Sequence, residues 1–200
     1  MQLAVSDMDI YRNLTPRVLA GRKQLLEGSQ VVVIDTNLPA ESIAWLADNC
    51  HAPIFADPVS TVKAEKLRPV LGKLHTLKPN RLEAELLSGV PITGTDSLHR
   101  AAQTLLETGL HRVFISLGAD GVYAADQSGS VTLPAPKAEM VSTTGCGDSF
   151  MAALTWAYLQ GSDLERSARA GLAASSLTME SAETIHPSMS EAELLRRMAL

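Results

Sequence analysis

Short apolar runs that end abruptly in polar residues recur along this chain, and stretches of helical periodicity separate them. Val31-Val32-Val33-Ile34 is a continuous apolar run closed by Asp35, the pattern of a parallel strand covered on both faces. Ile54-Phe55-Ala56 closes in Asp57-Pro58, Leu74 to Leu77 in Lys78-Pro79-Asn80, and Val113 to Leu117 in a glycine-containing turn. Between them lie helical patterns at Ala40 to Asn49, Arg81 to Leu87 and Ser97 to Thr108. Strands and helices alternating in this way predict an α/β domain with a mostly parallel sheet. Upstream, Leu3 to Val5 reads as a short strand, and Thr15-Pro16 as a cap and N1 proline opening a helix that Gly28 closes. Downstream, Gly121 to Leu133 reads as a hairpin turning at Gln127-Ser128-Gly129, and Ala138 to Val141 as β-like. Helices are expected at Phe150 to Leu159, Leu164 to Met179 and Glu191 to Met198. No linker, repeat or low-complexity segment interrupts the pattern, so residues 1–200 are expected to form a single domain.

Two hundred residues, 46% of them hydrophobic, are enough to bury a sizeable core. A net charge of −5 supplies no basic footprint, which argues against a nucleic-acid polymer as partner. Cys50 and Cys146 are too few and too unrelated in spacing for a disulfide framework or a zinc site. The five histidines are scattered without metal-ligand spacing and are expected on surfaces or in loops; Trp45 and Trp156 are expected in the core. The first residues lack both a charged n-region and an apolar h-region, and no apolar run approaches a membrane span. A soluble, cytoplasmic protein with no membrane partner is the expectation.

In an open parallel sheet, ligands bind beyond the carboxyl ends of the strands. Five polar segments sit there: Asp35-Thr36-Asn37, Asp57-Pro58, Lys78-Pro79-Asn80, Ser116 to Gly121, and Ser142-Thr143-Thr144-Gly145-Cys146-Gly147-Asp148. Turn and cap chemistry alone often loads strand ends with such residues. In the fifth segment two glycines allow a tight turn that points successive amides at one spot before a helix, which makes an anion hole. Asp148 stands at the opening of that helix, where a carboxylate can take a proton from an attacking hydroxyl. On spacing alone, a strand-to-helix turn and a phosphoryl-transfer site weigh about evenly. Asn80 and Glu83 have the spacing of a capping box. Gly118 and Gly121 are compatible with a plain β-turn. Lys78, after its strand, is placed to approach a phosphate, whereas Lys63 and Lys66 read as solvated helix charges. A thiol nucleophile at Cys146 lacks any evident base.

The run Thr143-Thr144-Gly145-Cys146-Gly147-Asp148 resembles the C-terminal signature of the PfkB (ribokinase-like) family of sugar and nucleoside kinases, and Asn80-x-x-Glu83 resembles that family's Asn-x-x-Glu motif. The resemblance implies a ribokinase-like three-layer α/β/α fold and a transferase that uses ATP and Mg²⁺. It implies Asp148 as catalytic base and the backbone of Gly145, Cys146 and Gly147, with that of Asp148, as the anion hole. It further implies Glu83 organising the metal, partly through water, and Asn80, Ser116, Gly118 and Gly121 lying along the nucleotide. The Ala-rich helix Ala168 to Ala174 would lie near adenine, although close helix packing explains its small residues equally well. Ser142 departs from the acid or Asn common in the family, at a place that bears on a nearby monovalent-cation (K⁺) site. A homodimer is compatible with the resemblance.

Ser6-Asp7-Met8-Asp9-Ile10-Tyr11, Asp35-Thr36-Asn37-Leu38-Pro39, Ala56-Asp57-Pro58-Val59-Ser60 and Leu77-Lys78-Pro79-Asn80 look most like the pseudouridine-kinase branch of the family. That likeness implies transfer of the ATP γ-phosphate to the 5′-hydroxyl of pseudouridine. A kinase of the same family acting on ribose, fructose or adenosine stays open, as does a nucleotide-binding remnant without turnover. Family members are longer at the N-terminus, where they carry further strands, a Gly-Gly sugar-binding segment and a small β lid. No Gly-Gly pair occurs in this sequence, so the lid region is expected to be missing, with an edge strand and apolar surface exposed.

Overall fold

The computed structural model describes residues 7–199; the strand expected at Leu3 to Val5 lies outside the described residues. The strands β1 (Val32–Asp35), β2 (Ile54–Asp57), β3 (Thr76–Leu77), β4 (Arg112–Ser116), β5 (Val122–Asp126) and β6 (Gly129–Leu133) form one sheet in chain order. Pairs β1 to β4 are parallel, and β5 and β6 add an antiparallel hairpin. The helices are α1 (Pro16–Ala20), α2 (Lys23–Glu27), α3 (Ala40–Asn49), α4 (Thr61–Ala64), α5 (Arg81–Ser88), α6 (Thr95–Glu107), α7 (Cys146–Leu159), α8 (Leu164–Met179) and α9 (Glu191–Met198).

Side chains alternate across a strand, and the central strands are apolar on both faces, so each feeds two cores. Ile54, Ala56, Val113, Ile115 and Tyr123 pack with α3, α5, α6 and the 3₁₀ stretch Glu65–Lys73. Phe55, Phe114, Val122 and Ala124 face the other way, onto Phe150, Met151 and Leu154 of α7 and Leu164, Ala168 and Leu172 of α8. The result is three layers, helices on both sides of a sheet. The exception is β1, whose Val33 is 50% exposed where a strand covered on both faces was expected. Its outer edge pairs with nothing among the described residues.

Several elements depart from the pattern in the sequence. The helix expected from Pro16 to Gly28 is two short ones broken at Gly21-Arg22, neither with a buried residue to stabilise it. Ala138 to Val141 is not a strand: it lies in an irregular segment, and Val141 and Ser142 donate instead to the Met179 carbonyl at 3.0 and 3.1 Å. β3 is two residues long rather than four. α7 begins at Cys146, not Phe150, which puts Gly147 and Asp148 in its first turn. The small residues of α8 serve packing, since Ala168, Ala170, Ala173 and Ala174 are all buried. Trp45 packs half-buried against the core, whereas Trp156 edges a groove and donates Nε1–H to Glu191 at 3.1 Å.

Two histidines expected on surfaces or in loops are structural. His99 shares a 2.8 Å hydrogen bond with the Tyr123 hydroxyl. His75 stacks between Phe55 and His111, its ring 5.3 Å from each, and Tyr158 meets it edge-on. Burial, and then the neighbouring His111 and Arg112, push the His75 imidazole down to about 4. Below the ordinary value of about 6.5 the unfolded chain therefore binds a proton that the folded chain refuses. Stability from this group is complete above that value and is lost progressively as the pH falls toward about 4. Urea unfolding between pH 7 and 4 is expected to show this loss, and His75→Phe to flatten it. Packing is testable at Gly171, where an added Cβ would fall 2.4 Å from the Phe150 ring. Gly171→Val is expected to cost about 1–3 kcal/mol in the same assay.

Candidate functional site

The parallel strands all end on one side, and the register brings their polar termini together. Asp35 pairs with Asp57 across β1 and β2, Lys78 N–H donates to the Ala56 carbonyl at 3.1 Å, and Asn80 bridges to Ser116. Asn80 and Glu83 form the expected reciprocal cap: Asn80 Oδ1 accepts from Glu83 N–H at 3.0 Å, and Glu83 Oε2 from Asn80 N–H at 2.8 Å. Glu83 is buried, and burial pushes its carboxyl up. The Asn80 amide works against that shift, Asp57 adds to it and Lys78 opposes it.

Lys78 is the buried cation of this cluster. Its Nζ lies 2.9 Å from Asp57 Oδ2, with the two side chains only 8% and 16% exposed. A Cβ built on Gly147 would stand 3.4 Å from the same Nζ, so the ammonium abuts the first turn of α7. The other oxygen of Asp57 accepts from Val59 N–H at 3.0 Å. Val59 has φ +61°, the one non-glycine residue with positive φ among the described residues, an unfavourable conformation for a β-branched side chain.

Gly145 opens α7 at φ +86°, and a Cβ there would collide with the Thr184 carbonyl oxygen at 2.3 Å. Glycine is required here on both counts. The Cys146 amide donates to the Thr143 carbonyl at 3.3 Å, and Ser149 starts the helical ladder by donating to Gly145 at 2.9 Å. The amides of Gly147 and Asp148 are left to face outward at the positive end of the helix. The Cys146 thiol approaches the Ser175 carbonyl at 3.5 Å, and burial pushes its pKa up, which is the wrong direction for a nucleophile. Asp148 is exposed and borders a cleft of about 600 Å³ together with Asp35, Asp57, Val33, Met151 and Ala152. It also borders an apolar groove of about 510 Å³ beside Trp156, Ile185, Met189 and Leu194.

Ser116 adjoins Asn80, and neither it nor Gly118 nor Gly121 lines the cleft of the three carboxylates. Ser116 N–H donates to the Pro79 carbonyl at 2.9 Å. Gly121 (φ +95°) is fixed by packing, its Cβ position 2.0 Å from the Leu133 carbonyl oxygen, whereas Gly118 (φ +63°) is needed only for the turn. Lys63 and Lys66 are not solvated helix charges: they reach back to Asn37, Thr36 and Leu38 in the loop after β1. Nothing in the local sequence marks that role, because it depends on a contact across 26 residues or more.

Among the described residues no group of three or more His, Cys, Asp or Glu side chains forms a metal cluster. The buried Glu83 carboxylate beside Asp57 is an all-oxygen donor set, suited to Mg²⁺ that keeps water and phosphate ligands. No helix among those residues is long and apolar enough to cross a membrane.

Residues 15–192 match the profile of the pfkB family carbohydrate kinases. The pseudouridine kinase of Escherichia coli (strain K12) is 38% identical over 98% of this chain, which spans 63% of that protein's length. A carbohydrate kinase from Agrobacterium tumefaciens superposes with a TM-score of 0.83 at 27% identity, over 100% of this chain and 64% of its own. Ribokinase from Thermotoga maritima shares the fold, with a TM-score of 0.81 at 23% identity over 94% of this chain and 62% of its own. By the profile match and the likeness along nearly its whole length, the chain belongs to the pfkB family of carbohydrate kinases.

Proposed function

We propose that these 200 residues form one ribokinase-like unit, corresponding to a portion of the longer relatives, that binds Mg-ATP and carries the catalytic base of a sugar or nucleoside kinase. The observation that carries this reading is the first turn of α7. A carboxylate that borders the cleft, two outward amides and a buried ammonium come together there. Phosphoryl transfer asks little covalent chemistry of a protein beyond placing the reactants and stabilising charge. The amides of Gly147 and Asp148, with Lys78 beside them, are suited to the charge on the transferring group. Glu83 and Asn80 stand on the side where the triphosphate would lie, with Ser116, Gly118 and Gly121 along the nucleotide. Mg²⁺, when bound, shields the triphosphate.

Asp148 then accepts the proton of the acceptor hydroxyl as that oxygen bonds to the γ-phosphorus and the bond from phosphorus to the β,γ-bridging oxygen breaks, leaving ADP. Pseudouridine, phosphorylated on its 5′-hydroxyl, is the acceptor we favour. The support is the 38% identity to a pseudouridine kinase along nearly the whole chain.

The test is ADP release by this chain with Mg-ATP and pseudouridine, beside uridine, ribose and fructose. Turnover selective for pseudouridine is expected. Asp148→Asn is expected to lower kcat by at least about 100-fold, the scale of general-base catalysis, while sparing Mg-ATP affinity. Unchanged turnover in that variant would sink the catalytic assignment. Mg-ATP binding without turnover on any acceptor would leave a nucleotide-binding protein.

A further inference from the structure

The loop that follows β1 is held by two lysines from a different part of the chain. Lys63, in α4, donates from Nζ to Asn37 Oδ1 at 2.6 Å. Asn37 in turn donates twice to Asp35, from Nδ2 to Oδ2 at 2.7 Å and from its backbone amide to Oδ1 at 2.8 Å. An ammonium facing its oxygen and a carboxylate facing its nitrogen leave the Asn37 amide one orientation. Lys66 clamps the loop from below, donating to the carbonyls of Thr36 at 2.8 Å and Leu38 at 2.9 Å. The buried Thr36 hydroxyl donates to the Pro58 carbonyl and joins this loop to the turn after β2.

Two long side chains are immobilised here, each at a cost in rotamer entropy. A loop that only needed anchoring would be served by Lys66 and Thr36 alone. The added element, Lys63, acts on Asp35 through Asn37 rather than directly. A carboxylate offers about four lone-pair sites, and the two Asn37 donors use two of them. Asp35 therefore keeps acceptor capacity on the wall of the cleft, where it lies with Asp57 and Asp148. Of these three carboxylates, Asp57 is paired with Lys78. Such a wall accepts hydroxyl protons and repels anions.

We propose that Lys63 and Asn37 are positioning residues that hold Asp35 as the hydroxyl-accepting group of the acceptor subsite, and that this wall selects a neutral polyhydroxy acceptor over a phosphorylated sugar. The inference rests on the kinase reading for its acceptor, but it is a statement about binding and is measurable without turnover. Lys63 does not line the cleft, so its loss acts only through Asn37 and Asp35.

The experiment compares wild type, Lys63→Met, Lys63→Arg and Asn37→Leu. It measures calorimetric Kd for pseudouridine, uridine, ribose, ribose 5-phosphate and Mg-ATP, with KM and kcat where there is turnover. Thermal unfolding of each variant confirms folding. Lys63→Met and Asn37→Leu are expected to raise Kd and KM for the neutral acceptor about tenfold, the loss of one well-placed charge-assisted hydrogen bond. Mg-ATP affinity stays within about twofold, and Lys63→Arg, which keeps the cation, recovers most of the loss. Equal weakening toward Mg-ATP and acceptor, or unchanged acceptor affinity in folded Lys63→Met, overturns the relay while leaving the kinase reading intact. Acceptor binding that depends on Lys63 without any turnover upholds the relay and overturns the kinase reading. A wild-type chain that binds none of the neutral acceptors, or prefers ribose 5-phosphate, overturns the relay's assignment.

Discussion

The contact between Lys78 and Asp57 joins the parts of the proposed site. It ties the end of β2 to the segment leaving β3, and its ammonium stands under the first turn of α7. Removing two opposite charges from water costs several kcal/mol per ion, and their attraction repays this only with good geometry and further hydrogen bonds. Asp57 has both: one oxygen on Lys78 at 2.9 Å and the other on the Val59 amide at 3.0 Å. The second bond holds Val59 in a left-handed conformation that costs on the order of 1–3 kcal/mol for such a residue. Strain and desolvation thus fall on the same few residues. An apolar pair would pack the position at least as stably, so the ion pair is explained by where it puts charge.

That placement also bears on Glu83. A buried carboxyl tends toward its neutral form, and Asp57 nearby pushes it further that way, while Lys78 and the Asn80 amide pull it back. The capping box that starts α5 is therefore one of the terms setting the charge of the group that would organise a metal. The capping role that the sequence suggested is present, and it is physically compatible with the metal-organising role proposed for the same pair.

How much of this the sequence displays depends on the range of the forces involved. α3, α8 and α9 match their expected bounds because each carries its apolar stripe locally, and α8 and α9 are also capped, by Asp163 and Ser190. The hairpin matches because a two-residue turn at Gln127-Ser128 fixes its register locally. The ends of the parallel strands converge as expected, and Asn80 with Glu83 forms the box their spacing suggested. What was missed is non-local. Pro16 to Gly28 forms two short helices with no fully buried residue, only Leu19 and Leu26 packing partly against the core, and Val141 gives its amide to Met179 rather than to a strand. Lys63 and Lys66 look like any helix-surface lysines until the fold brings the β1 loop to them.

The two sides of the cleft differ in their chemistry. Toward α7 stand two outward amides and the Lys78 ammonium, donors suited to phosphate oxygens; toward β1 stands Asp35 with free acceptor positions, suited to hydroxyls. In the proposed reaction, that polarity directs the phosphates to one side and the neutral acceptor to the other, with Asp148 between them. The floor is apolar, with Met151, Ala152 and the half-exposed Val33, and it lies open to water. Electrostatic groups of this kind act most strongly when water is excluded. The chain spans less than two thirds of its kinase relatives, and the cleft borders β1, whose outer edge pairs with nothing among the described residues. Under the proposed reading, the groups that would bind phosphate and the base Asp148 lie among the described residues, and Asp35 faces the acceptor from the β1 side. In the proposed relay, what orients Asp35 lies behind it: Asn37 on its two oxygens, and Lys63 on Asn37.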